Sequence, residues 1–179
     1  MKTLSIIVLA LFLVSCSSKN LTRGKAAELI QPKYPRNIDW PIFTTDPKDV
    51  IKFLPTKLEE EGYVIIKEKI VEGGWRRPYI FFTDKSKSYL LETPEYDRSS
   101  GIQRVKVAEQ YFSEITGVRM VKDGQKAIVE YSVINKNVTP FAQVSALKIV
   151  PTENCKAYFA LYDDGWRLID KFDPDFKGE

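Results

Sequence analysis

The chain has 179 residues, 44% of them apolar and 28% charged, with 27 basic against 24 acidic side chains for a formal charge of +3. That composition is of an ordinary folded domain and argues against wholesale disorder, and so small a charge excess argues against a nucleic-acid stripe or a polybasic membrane patch. There is no histidine, which excludes Ser-His-Asp and Cys-His catalysis and every zinc site that depends on imidazole.

Met1 to Ser15 read as an export signal. Lys2 supplies a positive start, and Leu4 to Val14 is an apolar run broken only by Ser5. A helix needs about twenty apolar residues to span a bilayer, so the run is too short for a transmembrane anchor and has the length of a removable signal segment. Leu13-Val14-Ser15-Cys16 resembles the bacterial lipobox. The resemblance implies cleavage before Cys16, a diacylglyceryl group on its thiol, and a further acyl chain, palmitate for example, on its new amino group. One acyl chain binds a membrane marginally and two or three bind it stably. In bacterial lipoproteins an Asp after the cysteine favours the inner membrane. Ser17 departs from that, so the resemblance implies the outer membrane, with the domain facing the periplasm. The membrane, through lipid on Cys16, is thus the first expected partner, and an exported chain meets no nucleic acid.

The mature part is long enough for one domain with a real core. Residues 16–22 read as a lipidated tether, 23–172 as a single domain and 173–179 as a polar, frayed tail. Thr22 is placed to cap a helix over Arg23 to Gln31, ended by Pro32 and Pro35. Lys33 to Thr45, with Tyr34, Trp40 and Phe43, reads as an ordered loop. Asp46-Pro47 starts a second helix carrying Val50, Ile51 and Leu54; Pro55 interrupts it, and Leu58 to Glu61 completes it before Gly62.

From Tyr63 the period changes to two. Tyr63 to Val71 and Tyr79 to Thr83 read as strands around a Gly73-Gly74 turn, and Tyr89 to Glu92 as a short third strand. Thr93 to Gly101 is a loop of turn formers. Gln103 to Val121 has helix-like spacings, but it runs into Lys122-Asp123-Gly124 and a clean strand with Ala127, Val129, Tyr131 and Val133 on one face. A long strand returning as a hairpin fits that turn better. Pro140 to Ile149 has Phe141, Val144 and Leu147 at helical spacing behind Thr139. The close is a hairpin from Lys156 to Tyr162 and from Trp166 to Lys171 around Asp163-Asp164-Gly165. The expected fold class is α+β, an antiparallel sheet with N-terminal helices and one later helix. Its early helix–helix–hairpin order is that of a winged-helix unit, serving here as a structural module.

The candidate contact surface is Trp75, Arg76, Arg77 and Tyr79, on or beside the Gly73-Gly74 turn. Trp, Tyr and Arg dominate binding hot spots, and arginine pairs with carboxylate or phosphate. An envelope protein or an anionic headgroup would suit them; the plain alternative is Trp75 tucked into the core with solvated arginines. Asp163 and Asp164 are adjacent carboxylates of the kind acid/base enzymes use, but turn chemistry accounts for them. Glu59, Glu60 and Glu61 read as a solvated helix end. Lys85-Ser86-Lys87-Ser88 holds the residues of a Ser-Lys pair in a polar turn, and Trp166 reads as core. With Cys16 lipidated, Cys155 has no partner for an intramolecular disulfide and is either buried or open to another chain.

No catalytic residue, metal ligand or cofactor motif emerges. The expectation is a membrane-anchored envelope lipoprotein acting as a non-enzymatic binding or accessory module. The alternatives are a small inhibitor or phage-exclusion lipoprotein, and an enzyme using carboxylates or a Ser-Lys pair.

Overall fold

A computed structural model describes residues 20–70, 73–122, 124–169 and 176. The expected export signal, Met1 to Ser15, and the lipobox-like residues ending at Cys16 lie outside the described residues.

The chain enters the fold at Leu21, which is only 4% exposed and packs in a core with Ala26 and Ile30. Residues 21 and 22, expected within a tether, belong to the fold: Leu21 is core, and the Thr22 hydroxyl caps helix α1 (Arg23–Ile30) by accepting from the Lys25 N–H. A single 3-10 turn, Gln31–Lys33, closes the helix at Pro32.

The segment expected as a loop over Lys33 to Thr45 is instead a strand, β1 (Arg36–Phe43), which pairs antiparallel with β4 (Ile102–Val121). Pro35 and Pro41 conceal it, because proline is rare in sheets. β1 is an edge, however, and an edge strand tolerates a missing donor. The intervening strand also removes the winged-helix order.

Asp46 caps helix α2 (Pro47–Phe53) by accepting from the Lys48 N–H. After Leu54 the chain runs through turns, so Leu58 to Glu61 does not complete a helix. Leu58 is nevertheless fully buried, and Gly62 takes the left-handed conformation (φ +76°) that starts the return.

Strands β2 (Val64–Ile70) and β3 (Arg76–Phe82) pair in unbroken register as a separate two-stranded sheet. The third strand expected at Tyr89 to Glu92 reduces to one bridge, Leu90 with Val105, after a 3-10 segment over Asp84–Tyr89. The loop expected from Thr93 to Gly101 holds a short helix, α3 (Glu95–Ser99).

The main sheet has the order β1-β4-β5-β6-β7, antiparallel throughout, with β5 (Lys126–Lys136), β6 (Thr152–Tyr162) and β7 (Gly165–Ile169) as a meander. The domain is α+β, and the long segment weighed between helix and strand is strand. β4 is 20 residues long. Its first half pairs with β1 and its second with β5, and register slips mark bulges in both pairings. Such bulges bend and twist a strand. The helix expected over Pro140 to Ile149 shrinks to a 3-10 turn, Pro140–Val144. Thr139 does not cap it; its hydroxyl donates to the Lys106 carbonyl and ties the segment to β4.

Two cores flank β4. One lies under α1, where Ala127, Val129, Tyr131 and Val133 share the expected inward face with Phe159 and Trp166. The other gathers Ile42, Val50, Phe53, Leu58, Val64, Ile80 and Phe141 around Val105. Ile115 belongs to the first and Val105 to the second, so ten residues of strand, up to about 33 Å of contour, separate them. On the reverse face Phe176 is buried against Ile128 and Tyr158, its ring 4.9 Å from that of Tyr158. The tail is therefore not frayed at this residue.

Candidate functional site

The β2–β3 hairpin turns through Gly73 and Gly74, both at positive φ (+87° and +78°), where a Cβ would be strained. Strand alternation gives the hairpin two faces. On one, Val64 and Ile80 are fully buried against the second core. Further out the same face carries Glu68, Ile70 and Arg76, beyond the reach of that core. Ile70 is 67% exposed and Trp75 73% exposed. The hairpin thus outgrows the body that supports it, and the indole is displayed rather than tucked into the core.

Arg76 makes a loose ion pair with Glu68 (3.5 Å), both largely in solvent. Arg77 is exposed on the opposite face with Lys67, which sits across from Tyr79. The Tyr79 ring lies 4.4 Å from that of Phe81. The structure therefore divides the four expected contact residues: Trp75 and Arg76 at the tip, Arg77 and Tyr79 on the outer face. The tip offers the Trp75 indole and the Arg76 guanidinium together, both already largely in solvent.

No family model, curated protein or solved structure matches the chain. The chemistry of its surfaces must therefore be read from their geometry.

Sequence reasoning missed a polar cleft of about 410 Å³ at the end of the α1-covered face. Register builds its floor, since Arg36 opposes Gln110 and Gln110 opposes Asn135. Arg36 Nε and Nη2 donate to Gln110 Oε1 (2.8 and 2.6 Å). Gln110 Nε2 donates to Asn135 Oδ1 (3.1 Å) and Glu153 Oε2 (3.3 Å). Asn135 Nδ2 in turn donates to the Val150 carbonyl (2.8 Å), and its backbone N–H to that of Pro151 (2.9 Å). Both amides are buried, and a satisfied network of this kind is rigid. Gln110 and Asn135 stand 25 residues apart, so only the register of β4 with β5 reveals the pair.

The remaining sequence candidates have structural duties. The buried Ser86 hydroxyl donates to the Tyr63 carbonyl (2.5 Å). Lys85 donates to the Glu61 carbonyl (2.6 Å) with its ammonium over the Tyr63 ring. These two groups are engaged separately and do not form a Ser-Lys pair. Glu59 is more than a solvated helix end, because its carboxylate accepts from the Ile66 N–H (2.9 Å) on the open edge of β2. Asp164 pairs with Arg167 beside the turn, which lowers the carboxyl's pKa. Trp166 is buried in the first core. Cys155 is half-buried beneath α1, and burial first, then Glu153, pushes its thiol pKa up, the opposite of a reactive cysteine. Among the described residues no cluster of three metal-ligating side chains occurs.

One half-buried carboxylate does have a strongly shifted pKa. Glu109 accepts from Lys106 (2.8 Å), Asn137 (2.7 Å) and Tyr111 (2.8 Å). These bonds, Lys106 first, hold its pKa down to about 2 from 4.5. A carboxyl whose folded pKa is depressed stabilises the fold above its unfolded pKa and loses that contribution as pH falls through the folded one. Between about pH 4.5 and 2 the melting temperature of Glu109→Gln should therefore fall less steeply than that of the native chain. Parallel slopes in melts over that range would refute the assignment.

Proposed function

We propose that the protein is a non-enzymatic accessory module of the bacterial envelope, acylated at Cys16, held at the outer membrane and facing the periplasm. In this reading the β2–β3 hairpin binds the acidic surface of an envelope protein. The observation that carries it is Trp75, 73% exposed beside Arg76 at the tip of a hairpin that outgrows its core. An exposed indole is expensive to leave in water unless something covers it, and Trp and Arg are the residues on which binding energy concentrates.

The position of the anchor favours a protein partner over the module's own membrane. Leu21 enters the core that contains Ile115, whereas the hairpin rests on the core that contains Val105. Five residues from Cys16 to Leu21 reach at most about 18 Å. A domain held so closely at one end of β4 has its hairpin at the other.

Affinity capture of the lipidated protein from solubilised envelopes tests this, comparing the native chain with Trp75→Ala/Arg76→Ala. At least a tenfold loss of an acidic partner is expected, with the melting temperature nearly unchanged because both side chains are exposed. Retention of every captured protein by the variant would sink the hairpin reading. Equal binding of the native chain to phosphatidylglycerol vesicles and to the captured protein would overturn the choice of partner.

A further inference from the structure

The cleft on the α1-covered face carries an assignment of its own. Arg36 uses Nε and Nη2 on Gln110 and lies with its guanidinium carbon 5.3 Å from the Tyr34 ring centroid, leaving Nη1 without a hydrogen bond. Lys148 stands on the rim, and Glu153 contributes one oxygen to Gln110 and no more. Among the described residues none of these three side chains makes an ion pair, although lysines, arginines and carboxylates elsewhere on the domain repeatedly pair with one another. Two cations and a carboxylate without ion-pair partners, all three exposed, thus border one cavity, whose other carboxylate, Asp39, is paired with Arg104.

We propose that this cleft binds a small zwitterion, an amino acid or short peptide bearing a free carboxylate and a free ammonium group. The carboxylate would lie against Arg36 and Lys148, because guanidinium and ammonium groups offer charge-assisted hydrogen bonds to it. The ammonium would lie against Glu153. Arg36 and Glu153 bind opposite ends of the Gln110 amide, so their charged groups stand within roughly 8 Å of each other, the span of a dipeptide's termini. Ile38, Leu147 and Ile149 supply apolar wall for an aliphatic side chain. The buried Gln110–Asn135 floor is satisfied within the protein. It fixes the spacing of the charges rather than binding the ligand, and such preorganisation lowers the cost of association.

Ligand-observed saturation-transfer NMR on the mature lipidated chain in detergent micelles tests the proposal with L-alanyl-L-leucine as the probe. Saturable binding with a Kd near about 1 mM or tighter is expected for a ligand of this size. N-acetyl-L-alanyl-L-leucine, without the ammonium, and L-alanyl-L-leucinamide, without the carboxylate, should each bind at least tenfold more weakly. Lys148→Ala and Glu153→Gln should weaken the dipeptide at least fivefold, and both leave the Arg36–Gln110 bonds intact. Glu153→Gln should leave the acetylated form unaffected, which a general loss of structure would not. Free leucine binding as tightly as the dipeptide supports an amino acid, and weaker binding supports a peptide. Absence of saturation, or equal binding of the blocked forms, overturns the site.

Discussion

Truncating Phe141 to alanine is expected to destabilise the domain by about 3–5 kcal/mol, the range for emptying a buried phenylalanine site. The ring is fully buried in the 3-10 turn after β5, with the rings of Phe82, Tyr89 and Tyr63 at 5.9, 6.0 and 6.2 Å. Those three neighbours come from the end of β3, the segment after it and the residue before β2. Phe141 therefore fastens the two-stranded sheet to the main one. For a domain of this length the melting temperature should fall by roughly 6–20 °C. Hydrogen exchange should show the loss unevenly, with β2 and β3 amides deprotected before those of β5 and β6. A fall under about 2 °C, or uniform deprotection, would show that Phe141 is not the fastening.

Replacing Cys16 with serine is expected to move the protein from the membrane fraction to the soluble one almost completely. A single acyl chain gives an association constant of about 10⁴ M⁻¹ with a bilayer, and each additional chain multiplies it by the burial of its own methylenes, about 0.8 kcal/mol apiece. Acylated at Cys16 as proposed, the protein would carry two or three chains on one residue, enough to hold essentially all of it. Since the balance of basic and acidic side chains is nearly even, charge offers no second route to the surface. Metabolic labelling with an alkynyl palmitate analogue and membrane fractionation give the result. A Cys16→Ser chain that stays in the membrane fraction, or a native chain that takes up no label, would rule out the lipid anchor.

The sequence was legible where a physical rule acts locally. Thr22 and Asp46 cap the helices they precede, Gly73-Gly74 turns the hairpin, and the alternation from Ala127 to Val133 marks a face of the core. The long β4 was recoverable because Lys122-Asp123-Gly124 demanded a hairpin. Where tertiary pairing overrides local preference, the sequence misled. β1 carries two prolines in or beside it and forms only because β4 supplies a ladder some seventy residues away. Phe141 and Val144 have helical spacing and are buried, but the turn ends at Val144 and Leu147 is left exposed. The candidate contact residues Trp75, Arg76, Arg77 and Tyr79 were visible by composition; that Trp75 and Arg76 stand beyond the core was not, because no local rule says where a hairpin's supporting core stops. The Gln110–Asn135 floor was hidden for a similar reason. Isolated glutamine and asparagine residues carry no signal until strand register sets them side by side.

The shared use of β4 also governs the order in which the domain can assemble. Residues 36–43 have no strand to lie against until residues 102–110 are present, and those in turn extend into the half of β4 that β5 completes. The β5–β6–β7 meander is made of near neighbours, whereas the β1–β4 ladder closes a loop of some sixty residues, and such non-local closure slows folding. A chain delivered amino-terminus first would hold Leu21, Ala26 and Ile30 without the strand residues they pack on, from Ile115 onward, until more than half of it had arrived. The period of greatest exposure to aggregation or to proteases therefore falls while the chain is still emerging, and a protective chaperone would have its largest effect on the early residues of the fold, through β1.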